Sequence, residues 1–301
     1  MKALITGSAG FVGQTLRRHL EAQGDTVVPT DRTVGGPDIT DREALIRFWA
    51  EAKADVVYHL AAQSHVPTSW ADPIGTLRVN VEGTQNVIDA SRGAGVSRVI
   101  VITSAEVYGK VTPDQLPIDE FASLRPVSPY AASKVAADAV ALQAHLGYDQ
   151  DVIRLRAFNH IGPGQSDQFV AAGLAGRIAQ AEASGGTEIA VGNLSPRRDF
   201  TDVRDIVRAY RLVAERGTAG DVYNVCTGVD RSIAELADGL LAHARHPITL
   251  VPDEELQRDV DIPVMCGDST KLRNDTSWAP EIDFATSLGD ILDDARTRLH
   301  G

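Results

Sequence analysis

The stretch "ALITGSAGFVGQTLRRHL", residues 3–20, reads as a short apolar strand, a loop carrying Gly7, Gly10 and Gly13, and an amphipathic helix. The first glycine permits a tight turn, and the second lets a pyrophosphate approach the backbone. The third lets helix and strand lie close together, which leaves the anion at the helix N-terminus. The same spacing also fits a glycine-rich turn that binds nothing. Its place directly after the first strand, with a second strand ending in "TDR" (30–32), favours dinucleotide binding. Asp31 stands at the end of that second strand, 18 positions after Gly13. A carboxylate there accepts hydrogen bonds from an adenosine ribose and repels a 2′-phosphate, which points to NAD. Arg32, next to it, can receive that phosphate and keeps NADP open.

Outward from this loop, β-rich runs alternate with helical ones. "ALIT" (3–6), "TVVPT" (26–30), "VVYHL" (56–60), "RVIVIT" (98–103) and "DVIRLRA" (151–157) read as strands, and 11–23, 41–52, 80–93 and 130–146 as helices. The rhythm predicts right-handed βαβ units and an α/β fold with a doubly wound parallel sheet of Rossmann type. After about residue 160 the pattern loosens into a helix near 168–184 followed by "EIAVGN", "RRDFTDVRDIVRAY" and "DVYNVCTG". The segment 202–225 again reads as helix then strand. We therefore expect a dinucleotide-binding domain of 1–160 plus 202–225, and a smaller α/β substrate lobe of 161–201 plus 226–301.

Composition narrows the partners. The chain has 301 residues and 43% hydrophobic side chains, enough for a substantial core. Its formal charge of -12, from 29 basic and 41 acidic side chains, disfavours nucleic acid and anionic membrane surfaces. An anionic ligand then needs a local basic pocket. No run approaches the roughly 18 apolar residues that span a bilayer, and "ALIT" follows Met1 with no charged-then-apolar leader, so a cytoplasmic protein is expected. Cys226 and Cys266 have neither CxxC spacing nor neighbouring histidines. We assign them no disulfide and no metal.

The candidate chemistry lies in "SPYAASK", 128–134, which sets Tyr130 and Lys134 one helical turn apart. A phenol with an ordinary pKa of about 10 exchanges protons poorly near neutrality unless a cation stabilises its phenolate, and Lys134 can supply that charge. Ala131, Ala132, Ala136 and Ala137 would let a flat cofactor or a neighbouring chain come close. A surface tyrosine beside a solvated lysine has the same spacing, so context decides. Upstream, "VITSAEVYG" sets Ser104 just past a strand end, the edge where open α/β sheets bind ligands, with a hydroxyl able to hold a substrate oxygen.

The glycine loop, "LAAQ" after the third strand, "TSAEVYG" and "SPYAASK", in this order, resemble the extended short-chain dehydrogenase/reductase family acting on nucleotide sugars, over essentially the whole chain. The resemblance implies a catalytic set of Ser104, Tyr130 and Lys134 with Tyr130 as acid/base. It implies a cofactor site lined by Gly7, Gly10, Phe11, Val12, Gly13, Asp31, Arg32, Asp38, Ile39, Leu60, Ala61 and Ala62, with Tyr130 and Lys134 also contacting the cofactor. "HLAAQSHVPTSWADP" (59–73), "FNHIGPGQ" (158–165), "RRDFTDVRDIV" (197–207) and "VYNVCTG" (222–228) look like the GDP-4-keto-6-deoxy-D-mannose reductases. That implies reduction of a C4 ketone to GDP-D-rhamnose or its C4 epimer, with Asn159, Arg198 and Arg258 on the diphosphate.

Glu106 is the discordant residue, since related dehydratases use a glutamate here to remove the C5 proton. They commonly place an acid before it, where this chain has Ala105. A GDP-mannose-type 4,6-dehydratase, or an epimerase with tightly held NAD, is thus the alternative. His65 and His160 are secondary candidates for substrate contact, and Trp70 and Trp278 read as packing residues. Family members commonly pair through the helices near 80–93 and 130–146, so a homodimer is expected.

Overall fold

The computed structural model describes residues 1–256 and 262–300. Its first half runs β1 (Lys2–Thr6), α1 (Phe11–Ala22), β2 (Thr26–Thr30), α2 (Arg42–Ala52), β3 (Val56–His59), α3 (Val66–Ala71), α4 (Pro73–Leu77), α5 (Gly83–Gly93), β4 (Arg98–Ile102), α6 (Pro129–Tyr148) and β5 (Val152–Ala157). The second half continues through β6 (Asn159–Ile161), α7 (Val170–Ser184), β7 (Glu188–Val191), β8 (Arg197–Asp202), α8 (Val203–Arg216), β9 (Val222–Val225) and β10 (Asp230–Ser232). It ends with α9 (Ile233–Leu241), β11 (Thr249–Pro252), β12 (Val264–Met265), α10 (Thr270–Thr276) and α11 (Phe284–His300).

Six strands form a wholly parallel sheet in the order β2-β1-β3-β4-β5-β9. The central strands are buried along their length, as parallel strands covered on both faces must be. The apolar side of α1 and α8 packs on one face, with Leu16, Leu20, Ile206 and Tyr210 against Ile5, Tyr58 and Leu155. On the other face, Leu45, Trp49, Val87, Ile88, Ala141 and Ala144 cover Leu4, Val57, Val99 and Val101. The strand order reverses direction around β1, and this switch point is where such sheets open a ligand crevice. As the helix-then-strand pattern of 202–225 predicts, α8 and β9 return to this sheet, and β9 pairs with β5.

A second core gathers around α7, α9 and α11, where Leu174, Ile178, Leu236, Leu240, Leu288 and Leu292 meet. Beside it β8 pairs antiparallel with β10 and parallel with β12, while β6 pairs with β8. The short β6 therefore carries the chain from the end of β5 directly onto the second core's strands.

The strands predicted from alternation differ from those observed by a residue at most. The helix predicted to begin at 80 starts earlier: residues 73–93 run on continuously, with π geometry over Arg78–Glu82. Pro73 at the first helical position and Gly75 hide that beginning, although Asp72 caps it by accepting from the Gly75 N–H at 2.8 Å.

The glycine loop owes its shape to close contact. A Cβ on Gly13 would lie 2.1 Å from the Gly7 carbonyl oxygen and 2.7 Å from Ser8 Cα. Gly13→Ala should therefore cost about 1–3 kcal/mol through overpacking. Gly176, inside α7, has no atom within 4 Å of such a Cβ, and Gly176→Ala should gain up to about 1 kcal/mol from helix propensity. Urea unfolding of both variants checks the pair. A Gly13→Ala midpoint equal to the parent's would show that the loop is not packed this way.

Candidate active site

A cleft of about 1150 Å³ opens over the C-terminal ends of β1, β3, β4 and β5 and runs on to α7 and β8. Gly7, Gly10, Phe11, Val12, Gly13, Asp31, Arg32, Asp38, Ile39, Leu60, Ala61 and Ala62 line it. So do Ser104, Glu106, Tyr130, Lys134, Asn159 and Arg198. Arg258 lies outside the described residues.

The nucleotide end is built from backbone. Gly7 takes φ +71°, and a Cβ there would come within 2.8 Å of the Ala61 nitrogen, so strand β3's exit presses directly on the loop. A Cβ on Gly10 would meet only the Gly7 oxygen, at 3.3 Å. Helix α1 begins at Gly10 with no side-chain cap and no acidic residue in its first turn, which leaves its N–H groups for an anion. These features fit a dinucleotide. Asp31 accepts from the Thr33 N–H at 2.9 Å and the Thr33 hydroxyl at 2.8 Å, which fixes its carboxylate at the mouth of the cleft. Arg32 reaches Asp38 at 3.4 Å and is largely exposed. Two hydrogen bonds from Thr40 and the Arg32 charge hold the Asp38 carboxyl below its ordinary value despite partial burial.

The reacting end is set by α6. Ser128 caps it by accepting from the Ala131 N–H at 3.1 Å, and Pro129 takes the first helical position. Tyr130 therefore lies in the first turn and Lys134 one turn later, both buried. From α6 only these two side chains reach the cleft. This corrects the expectation that the alanines admit a flat cofactor: Ala131 and Ala137 are buried in the protein, and Ala132 is exposed on the outer face. The Lys134 ammonium donates to the Ile102 carbonyl at 3.0 Å, and burial pulls its pKa down to about 8. Burial pushes the Tyr130 phenol up to about 12; a hydrogen bond with Ser104 lowers it, and the Glu106 carboxylate raises it. The phenol thus holds its proton at neutral pH.

Ser104 and Glu106 come from the turn after β4, where the Ser104 hydroxyl accepts from the Glu106 N–H at 3.2 Å. His59 lies beneath, between the hydroxyls of Thr6 at 2.8 Å and Thr84 at 3.0 Å, and burial and the Lys134 charge depress it to about 3. His160 stacks on Phe11 with ring centroids 6.1 Å apart, and His65 contacts the Thr68 hydroxyl; both line the cleft. Trp278 packs in the core and donates to the Asp205 carbonyl at 3.0 Å, whereas Trp70 is 55% exposed. Among the described residues no group of three His, Cys, Asp or Glu side chains could hold a metal.

Sequence reading missed Arg177, a cleft-lining residue of α7. It donates to the carbonyls of Gly173 at 3.2 Å and Ala190 at 2.7 Å and forms no ion pair among the described residues, and burial pulls its guanidinium below the ordinary value. The sequence places it only within the helix near 168–184, and the fold turns it toward the cleft. Gln63 was missed too; it binds the π segment, its backbone N–H donating to Asn80 Oδ1 at 2.8 Å and its carbonyl accepting from Asn80 Nδ2 at 2.9 Å.

Comparison with known proteins accords with this geometry. The GDP-6-deoxy-D-mannose reductase of Pseudomonas aeruginosa is 36% identical over 302 residues, covering 99% of this chain and 98% of that protein. The UDP-glucose 4-epimerase of Mycolicibacterium smegmatis is 32% identical, covering 99% of each. The solved structure of RMD from Pseudomonas aeruginosa complexed with NADPH superposes with a TM-score of 0.92 at 37% identity, covering 99% of each chain. Residues 3–226 match the model of the NAD dependent epimerase/dehydratase family, and this chain belongs to it.

Proposed function

We propose that the chain reduces the C4 ketone of GDP-4-keto-6-deoxy-D-mannose, giving GDP-D-rhamnose or its C4 epimer. The observation that carries this reading is the protonated Tyr130 phenol beside Ser104, with Ala105 next to Glu106. Ketone reduction needs one proton donor, and Tyr130 is one. Dehydration must also protonate a departing hydroxyl, and the alanine side chain holds no proton to give. The similarity to GDP-6-deoxy-D-mannose reductase supports the same choice.

On this reading the reduced nicotinamide, when bound, supplies the hydride. Ser104 holds the ketone oxygen, and Tyr130 gives that oxygen its proton as the carbon–oxygen double bond becomes an alcohol. The buried Lys134 charge stabilises the phenolate left behind. Asn159, Arg198 and Arg177 hold the diphosphate; Asp31 favours NAD, and Arg32 leaves NADP usable. The assignment of 1–160 plus 202–225 to the cofactor and 161–201 plus 226–301 to the sugar nucleotide is supported by the two cores except at α10 and Trp278, where Leu272 and Trp278 pack in the core of the six-stranded sheet.

A second reading, a 4,6-dehydratase or an epimerase with tightly held NAD, is favoured by the Glu106 carboxylate close to Tyr130. Oxidation of NADH or NADPH by purified protein given GDP-4-keto-6-deoxymannose tests the first reading. Tyr130→Phe should slow it at least 100-fold. Turnover of GDP-mannose without added reductant would transfer the assignment to the second.

The pH profile follows from the same groups. Lys134 is charged below about 8 and loses its proton above, so the stabilisation of the departing phenolate declines as pH rises. The kcat/KM for ketone reduction should be level up to about pH 8 and fall above it. A profile level to pH 10 would remove Lys134 from the mechanism.

We further infer a cytoplasmic homodimer. Trp70, Ile74 and Leu77 expose an apolar stripe next to α6, and both cysteines are buried, unpaired thiols. Among the described residues no helix is long and apolar enough to cross a membrane. Sedimentation equilibrium of the soluble cell fraction should find twice the chain mass, and a monomer would remove the pairing.

A further inference from the structure

Two elements meet in the candidate site, α6 with Tyr130 and Lys134 and the turn after β4 with Ser104 and Glu106. Something must fix their separation. One turn beyond Lys134, Asp138 points inward and is 2% exposed. Its carboxylate accepts from Arg154 at 2.9 Å and from Arg156 at 3.0 and 3.2 Å. Both arginines stand on β5, so strand and helix are clamped through this one acid.

The same carboxylate reaches both flanks of Ser104. On the near side, the Thr103 hydroxyl donates to it at 3.4 Å and to the Leu155 carbonyl at 3.2 Å. On the far side, Arg156 donates to the Tyr108 hydroxyl at 3.1 Å, and that hydroxyl donates to Asn224 Oδ1 at 2.7 Å. Arg156 also donates to the Glu120 carbonyl, and Asn224 donates to Glu120 Oε1 at 2.8 Å. Tyr108 and Asn224 are wholly buried. Arg154 Nε is buried without a partner, but the groups between Asp138, Arg156, Tyr108 and Asn224 are hydrogen-bonded to one another, and such a network is stiff: losing a member leaves others unpaired in a medium of low polarity.

We propose that Asp138, acting through Arg156 and Tyr108, is a positioning residue that holds the Ser104 hydroxyl at its working distance from Tyr130. The proposal rests on the ketoreductase reading above. Asp138, Arg156 and Tyr108 do not line the cleft; they set the relative place of two groups that do. Misplacement of a reacting group by about an ångström costs up to about 100-fold in rate.

Tyr108→Phe keeps the ring and deletes only the hydroxyl. It should lower kcat for ketone reduction about tenfold, with both KM values within twofold of the parent's. Ser104→Ala should lower kcat about 100-fold. If Tyr108 works through Ser104, the double variant should be no slower than Ser104→Ala alone, within twofold. A merely structural hydroxyl would lower the melting temperature and leave kcat per cofactor-binding site intact, or its effect would multiply with that of Ser104→Ala; either result overturns the proposal. Asp138→Asn should show the same non-additivity, and should it fail to fold, Tyr108→Phe decides alone. Full activity in Ser104→Ala would be a separate failure, removing Ser104 from the ketoreductase reading and this proposal with it. A normal Ser104→Ala loss with multiplying effects would sink the positioning role alone.

Discussion

The proposed chemistry depends on the burial of Tyr130 and Lys134 side by side at the start of α6. Burial disfavours charge on both: the phenol rises to about 12 and the amine falls to about 8. Spacing alone suggests that the ammonium acidifies the phenol outright. In the structure that ammonium donates to the Ile102 carbonyl, and a hydrogen bond with Ser104 is what lowers the phenol's pKa. The phenol is therefore a proton donor at rest, which suits reduction of a ketone better than oxidation of an alcohol. In the proposed reaction the lysine's part comes later, as a nearby charge for a phenolate that exists only after the proton has gone.

That pair is useful only if the rest of the fold brings a ligand to it. The parallel sheet ends β1, β3 and β4 along one edge, with the glycine loop, Ala61 and Ser104 on that edge in turn. The β6–β8 pairing draws the second core against the same edge and carries Asn159 and Arg198 with it. One cleft thus has a backbone-lined end, where N–H groups suit a pyrophosphate, and a side-chain-lined end with cations. The two halves of a hydride transfer need such an arrangement.

Much of this was legible locally. The glycine loop, the parallel strands and the Ser128 cap are set by residues within a few positions of one another, and their spacing survives intact in the fold. The alanines of α6 were misread because a one-dimensional pattern does not say which side of a helix meets the cleft; Tyr130 and Lys134 take that side, and Ala141 and Ala144 pack against Val87 and Ile88. The π segment at Arg78–Glu82 had no signature that a helical wheel detects. Least legible was the network below the site, whose Tyr108–Asn224 hydrogen bond joins residues 116 positions apart. Nothing local links Asp138 to Arg154 and Arg156, which meet only once the strand and helix are stacked.

The formal charge of -12 is consistent with a site for doubly anionic ligands once the cations are placed. Carboxylates on the cleft wall are themselves engaged: Asp38 is hydrogen-bonded by Thr40 and faces Arg32, and Asp31 is held by Thr33. At the far end Arg177 is half-buried and oriented by two backbone carbonyls, and among the described residues no carboxylate pairs with it. Burying a cation in that state costs stability unless an anion compensates it. A diphosphate arriving there gains a partner already desolvated and already oriented, which lowers the cost of ordering on binding. The surface charge elsewhere is screened over a Debye length of about 8 Å at physiological salt, so the local field of the cleft, and not the sum over the molecule, is what a bound nucleotide meets.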